Sequence, residues 1–168
     1  DLLALMKEYL VDPKRLVNIK SLPGMNKIQS GSKQWTIGAL TTVAEIEDHA
    51  GIAKSFPGLQ QAAAEVVSRQ IRNVATVGGN LAQHSRCWYF RHRDVLCLKK
   101  GGEMCYARHG ESKYHSLFTG NTCISPIPSN LSIAFGALGA TVVVLRDGKE
   151  TPMSIPELYQ KEWDEPTA

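Results

Sequence analysis

The sequence lacks the marks of several protein classes. No apolar run in its 168 residues approaches the ~18–20 residues of a membrane-spanning helix, and no signal-peptide pattern opens it. It has no internal repeat and no low-complexity tract, which excludes solenoid, coiled-coil and disordered-tail architectures. Neither a GxGxxG fingerprint nor a Walker A loop is present, so Rossmann and P-loop nucleotide binding are unsupported. A Ser-His-Asp elbow, HExxH and a close carboxylate pair are missing too, and no residue stands out as a substrate-transforming acid or base. Charge is nearly balanced: 19 Lys+Arg against 16 Asp+Glu gives +3, too little to argue for nucleic acid. With 43% hydrophobic and 21% charged residues, the chain is an ordinary globular one with a sizeable core, as one domain or two small lobes.

What is present is unevenly placed. All four cysteines, Cys87, Cys97, Cys105 and Cys123, fall within 37 residues. Between Arg86 and Lys113 seven basic and three acidic residues give +4, while the remaining twelve basic and thirteen acidic residues come to −1. Six of the twelve aromatics lie between Trp88 and Phe118. This segment reads as a module set into a neutral domain.

Along the chain, Leu2, Leu3, Leu5, Met6 and Leu10 mark a helix stopped by Pro13, followed by a short strand at Leu16–Ile19 and a turn at Pro23-Gly24. A helical pattern already under way at Asp1 implies that the natural chain extends upstream. Gln34–Ala39 is a second strand candidate, and Thr42 with Glu45 has the spacing of a capping box. A long helix is expected from Pro57 to Arg72, with Leu59, Ala62, Ala63, Val66 and Val67 as its apolar face. Asn130–Ala137 reads as a helix closed by Gly139, Ala140–Leu145 as a strand, and Asp147-Gly148 as a hairpin turn. Irregular alternation of strands and helices predicts an α+β fold.

Two stretches could carry chemistry. Thr76, Gly78, Gly79 and Asn80 combine a hydroxyl, two residues without Cβ and a carboxamide, the makings of a backbone cradle for a diphosphate; a Gly-Gly turn locally capped by Asn is the plainer reading. The cysteines are spaced C-x9-C-x7-C-x17-C. Zinc ordinarily shows a close Cys pair, and none exists; two disulfides need an oxidising compartment. An iron–sulfur cluster needs four thiolates converging from loops, and the local positive charge suits its negative charge. On residues alone zinc and iron–sulfur stand level, beside the plain reading of four unrelated thiols. His84, His92, His109 and His115 sit in or beside this segment and read as solvated loop histidines; Trp88–Arg93 mixes bases and aromatics but is too short to argue for nucleic acid.

The sequence resembles the FAD-binding medium subunit or domain of the molybdenum hydroxylases, the xanthine dehydrogenase group. Thr36–Ile46 is similar to that family's strand–helix start, Gln70–Asn80 to its second flavin loop, and Ser125–Ala140 to its segment ending in an Ala-Leu-Gly-Ala turn. Asp1-Leu2-Leu3 resembles the stretch just after the family's first glycine-rich flavin loop. The resemblance implies an FAD-binding domain of two small α/β lobes, of the xanthine dehydrogenase/CO dehydrogenase type, incomplete at both ends. Residues 1–33 would be the remainder of the first lobe and 34–168 the second, with an insert at about 84–124. It also implies that Ala75, Thr76, Gly79 and Asn80 touch the FAD diphosphate and ribityl region, with Gly78 in the same loop and Gln83 just downstream. Ser129 and Asn130 stand where the family commonly has Ser-Asp. The cysteine insert is similar to one in the flavoprotein subunits of 4-hydroxybenzoyl-CoA reductase and some bacterial aldehyde oxidoreductases, where four cysteines ligate a 4Fe–4S cluster. By that likeness Cys87, Cys97, Cys105 and Cys123 would be the ligands. The implied function is an electron-transfer subunit partnered by a molybdenum-cofactor large subunit and a 2Fe–2S small subunit, acting on aldehydes, aromatic acyl-CoA or N-heterocycles. A cytoplasmic location is expected, with a periplasmic complex as the other destination. The alternative is a zinc-stabilised or flavin-less docking module of such a complex.

Overall fold

The computed structural model describes residues 1–164, with side chains through residue 160; the end of the expected second lobe, 165–168, lies outside the described residues. In chain order the elements are α1 (Leu2–Lys7), β1 (Ile28–Ser30), β2 (Trp35–Ile37), α2 (Val43–Asp48), α3 (Ala50–Ser55), α4 (Pro57–Ala64), α5 (Arg69–Arg72) and α6 (Val77–Leu81). Then come α7 (Trp88–Arg91), a 3-10 turn (Leu98–Lys100), α8 (Tyr106–His109), α9 (Asn130–Ala137), β3 (Thr141–Arg146), β4 (Lys149–Ser154) and α10 (Ile155–Asp164). Both sheets are two-stranded and antiparallel, so the fold is α+β, as expected. The described chain divides into two compact units: 1–15, 84–128 and 156–164 form one, and 16–83 with 129–155 the other.

In the second of these units the core is built by Val43, Ala44 and Ile46 of α2, Ile52 of α3, Leu59 and Ala63 of α4, Val77 and Leu81 of α6, and Leu131 and Phe135 of α9, all buried. Each large aliphatic side chain removed from water contributes about 1.5–3 kcal/mol. Helix α2 starts on the expected capping box: Thr42 Oγ1 accepts from Glu45 N–H at 3.2 Å, and Glu45 Oε2 accepts from Thr42 N–H at 2.6 Å. Strands β3 and β4 pair from Thr141–Ser154 to Arg146–Lys149 around Asp147-Gly148, whose φ values of 50° and 73° suit a two-residue hairpin turn. Gly139, at φ 62°, ends α9 as expected.

Two expected elements differ. Leu16–Ile19 is not a strand; among the described residues no strand pairs with it, and Asn18 Oδ1 instead accepts the Lys20 N–H at 3.0 Å, a local bond that competes with extended pairing. The long helix at 57–72 is two helices. It breaks at Glu65–Ser68, where Val67 takes φ 41° and is 83% exposed rather than facing the core. Ser68 Oγ caps α5, and Arg72 holds the break from outside: it donates to Val66 C=O at 3.0 Å and pairs with Glu47 at 2.7 Å. Arg69 joins Glu47 at 2.8 Å and Asp48, which latches α5 to α2.

The other unit has a small core of Leu5, Phe90 and Cys97, flanked by Leu10, Val11 and Cys87. Asp1 anchors it, accepting from His84 N–H at 2.8 Å and from Arg91 at 2.7 Å.

Candidate functional site

The expected flavin residues all lie in the unit formed by 16–83 and 129–155. Thr42 and Thr76 face each other across an isolated antiparallel bridge, in which Val43 N–H donates to Ala75 C=O and Val77 N–H to Thr41 C=O, both at 2.9 Å. Thr76 then caps α6, its Oγ1 accepting from Gly79 N–H at 3.1 Å. Gly78 N–H donates to Ala39 C=O at 2.8 Å, and Asn80 N–H to Thr76 C=O at 2.8 Å. The amides of Val77, Gly78, Gly79 and Asn80 are therefore spent inside the protein, contrary to a cradle of free backbone donors. Gly78 is required by packing: a Cβ there would stand 3.0 Å from both Cβ and the carbonyl oxygen of Ala39.

Asn80 is a buried hub. Its Oδ1 accepts from Ser129 Oγ at 2.7 Å and from Leu131 N–H at 3.3 Å, which ties α6 to the start of α9. Ser129 caps α9 by accepting from Ser132 N–H at 3.0 Å. This bridge brings Thr76, Gly79 and Asn80 together with Ser129 and Asn130, while Gln83 comes just after the end of α6. Gly79 and Asn130 are exposed, and Ala75, Thr76 and Gln83 half-buried. The accessible groups suited to an FAD phosphate or ribityl chain are thus neutral side-chain donors, the Thr76 hydroxyl and the Gln83 and Asn130 carboxamides, while Asn80 is buried in the bridge itself. Residues of this chemistry fit the cofactor, but by side chains more than by glycine amides.

All four cysteines are free thiols and line one cavity of about 20 Å³ in the other unit, with Phe90, Lys99, Tyr106 and His115. The sequence brings each of the first three to the start of a helical turn: Cys87 precedes α7, Cys97 the 3-10 turn, and Cys105 precedes α8. Gly101, at φ 85°, ends the second turn, and its amide and that of Gly102 close it on Leu98 and Cys97 C=O. The segment's ends are joined by Ser85 and Ser125, whose buried hydroxyls stand 2.6 Å apart, and Ser85 Oγ also accepts from Cys87 N–H at 3.1 Å. Burial pushes the Cys87 thiol up, while the N–H groups of Phe90 and Tyr89 pull it down. Burial likewise raises Cys123, opposed by Ser125 N–H and the Lys99 charge. Among the described residues no group of three or more His, Cys, Asp or Glu side chains is placed to hold a metal ion.

His115 was invisible to sequence reasoning as part of this site. Its side chain lines the cavity, and neither ring nitrogen is solvated or hydrogen-bonded. The expectation of a solvated loop histidine is corrected by its packing edge-on to Trp88, centroids 5.1 Å apart. An aromatic residue upstream of a histidine is too common a pattern to have signalled this.

The comparisons with known proteins give first a class, that of flavin-binding domains. The fold is similar to quinoline 2-oxidoreductase from Pseudomonas putida 86, with TM-score 0.61, 21% identity, and coverage of 92% of this chain and 40% of that one. The model for the FAD binding domain in molybdopterin dehydrogenase matches residues 1–166, and the chain belongs to that family. It is 31% identical over 163 residues to the aldehyde oxidoreductase FAD-binding subunit PaoB of Escherichia coli (strain K12), covering 95% of this chain and 51% of that one. It is 36% identical over 85 residues to the nicotinate dehydrogenase FAD-subunit of Eubacterium barkeri, covering 51% of this chain and 29% of that one. The chain thus spans about half the length of PaoB. Among the described residues no helix is long and apolar enough to cross a membrane.

Proposed function

We propose that this chain is the flavin-binding part of an electron-transfer subunit in a molybdenum hydroxylase-type oxidoreductase, and that its four cysteines hold a 4Fe–4S cluster. The observation that carries the cluster is the convergence of Cys87, Cys97, Cys105 and Cys123, all free, on one cavity. Four ligands on one zinc ion must crowd to about 3.8 Å from each other at a Zn–S distance of ≈ 2.3 Å. A cubane spreads its thiolates over four irons, a ligand set that four cysteines lining one cavity can supply. When bound, FAD supplies the coupling of two-electron to one-electron chemistry, and the cluster a one-electron centre.

The chain's own residues bind and orient. Thr76, Gln83 and Asn130 offer donors to the flavin, with Ala75, Gly78, Gly79, Asn80 and Ser129 shaping the loop around them. Phe90 and Tyr106 keep the thiol cavity apolar, and Lys99 offsets negative charge there. In this reading residues 1–33 complete a first flavin lobe and 34–168 form the second, with the insert at about 84–124 inside the compact stretch His84–Pro128. Partners would be a molybdenum-cofactor subunit and a 2Fe–2S subunit. Aldehydes are the favoured substrate class because the PaoB match runs over 95% of the chain, cysteine segment included, whereas the nicotinate dehydrogenase match takes in 51%. Assembly of thiolate ligands points to a reducing cytoplasm.

The test is metal and flavin analysis of the full-length protein purified anaerobically. About four irons beyond those of any partner subunit, lost when any one of the four cysteines is changed to serine, is the expected result. Zinc without iron would refute the cluster, and a flavin-free full-length protein would refute the FAD role.

A further inference from the structure

The imidazole of His115 is held in place from several sides. The His115 N–H donates to Ser112 C=O at 2.9 Å, and the next residue, Ser116, donates to Ile124 C=O at 2.9 Å, so the backbone is tied on both flanks. Trp88 packs edge-on at 5.1 Å and Tyr89 lies tilted at 6.5 Å, fixing the ring's plane. Yet both ring nitrogens are buried with no hydrogen-bond partner. A neutral imidazole carries one N–H donor and one acceptor, and burying both unsatisfied is unfavourable. A buried polar group left this way in a folded protein calls for an occupant that satisfies it. The side chain lines the cavity shared by the four cysteines, which have a complete ligand set of their own without it.

We infer that His115 donates a ring N–H hydrogen bond to sulfur of the cluster held by Cys87, Cys97, Cys105 and Cys123. The inference rests on the cluster reading above and deepens it. A donor aimed at cluster sulfur stabilises the more negative, reduced state, so His115 raises the midpoint potential. Trp88 and Tyr89 act through it by holding the ring.

The experiment is an EPR-monitored redox titration of the anaerobically purified full-length protein, wild type beside His115→Phe and His115→Gln. Phenylalanine keeps a flat ring for Trp88 to pack on but removes the donor; glutamine keeps an N–H. The expected result is wild-type iron content in both, a lower midpoint potential in His115→Phe, and a smaller downward shift in His115→Gln. Wild-type protein labelled with 15N-histidine should also show a weak nitrogen coupling to the reduced cluster in pulsed EPR, a measurement that stands even if a variant fails to fold. An unmoved potential in His115→Phe, a coupling of the strength of a directly ligating nitrogen, or no coupling at all would overturn the inference while leaving the cluster intact. Wild-type protein without iron would overturn the cluster reading and this inference together.

Discussion

Cutting Asn80 back to alanine removes one acceptor on which two donors converge, Ser129 Oγ at 2.7 Å and Leu131 N–H at 3.3 Å. Asn80 and Ser129 are each 2% exposed and Leu131 is fully buried, so water does not readily replace the lost carboxamide. A buried donor left without a partner costs about 1–3 kcal/mol, and the longer of the two bonds belongs at the low end, so the pair comes to roughly 2–4 kcal/mol. With a urea slope of ~2 kcal/mol per M, the unfolding midpoint should fall by about 1–2 M. Ser129→Ala should cost less, since Leu131 N–H keeps Asn80, although Ser132 N–H loses its cap. The double variant should be less destabilised than the sum of the singles, because both remove the same 2.7 Å bond. The assay is urea unfolding of the full-length protein after its flavin has been stripped. That condition matters, because the resemblance implies Asn80 touches FAD while its geometry makes it a structural hub. If stripped Asn80→Ala unfolds at the wild-type midpoint and differs only in flavin retention, the hub argument is wrong.

The same packing governs three other perturbations. Ile46→Ala, at a fully buried position of α2, should lose about 2–5 kcal/mol in urea unfolding, and Ile46→Val only about 0.5–1.5. Thr42→Ala, which breaks the capping box, should cost ~1 kcal/mol and speed hydrogen exchange at the first amides of α2, Glu45 N–H included. Hydrogen bonding from Arg69 holds the Asp48 carboxyl below its ordinary value of 3.8. A depressed carboxylate stabilises the fold above the unfolded value and loses that contribution as pH falls through the folded one. Arg69→Met should therefore be less stable than wild type at pH 7, with the gap closing as the pH drops below about 3.8 and narrowing in high salt, as followed by thermal unfolding.

What the sequence disclosed was local. The capping box of Thr42 and Glu45, the Asp147-Gly148 hairpin and the Asn130–Ala137 helix each depend on residues within a few positions, and each is found where expected. The break in 57–72 escaped because its cause is distant in sequence: Arg72 reaches back to Val66 and across to Glu47, holding Val67 in a conformation that periodicity assigns to helix. Leu16–Ile19 has the composition of a strand but, among the described residues, no strand to pair with, and composition cannot supply one. Gly78 and Gly79 were legible as a close approach, but not as an approach to Ala39 and Thr76, whose atoms use the amides and space that a ligand was expected to take.

The cysteines show the same limit from the other side. Their spacing has no close pair, and one-dimensional reasoning left zinc and iron–sulfur level. In three dimensions all four line one cavity, and three of them stand at the start of a helical turn. Burial alone would keep Cys87 and Cys123 protonated and inert, the fate of thiols that merely fill a core. Burial is the larger effect at both, and each thiol is held above its ordinary value, although two backbone N–H groups at Cys87 and Ser125 N–H with Lys99 at Cys123 oppose it. Under the cluster proposed above, the donors at Cys87 and Cys123 would face the guest's negative charge, and the +4 charge of the segment, first visible as an imbalance in the sequence, would act on it at longer range.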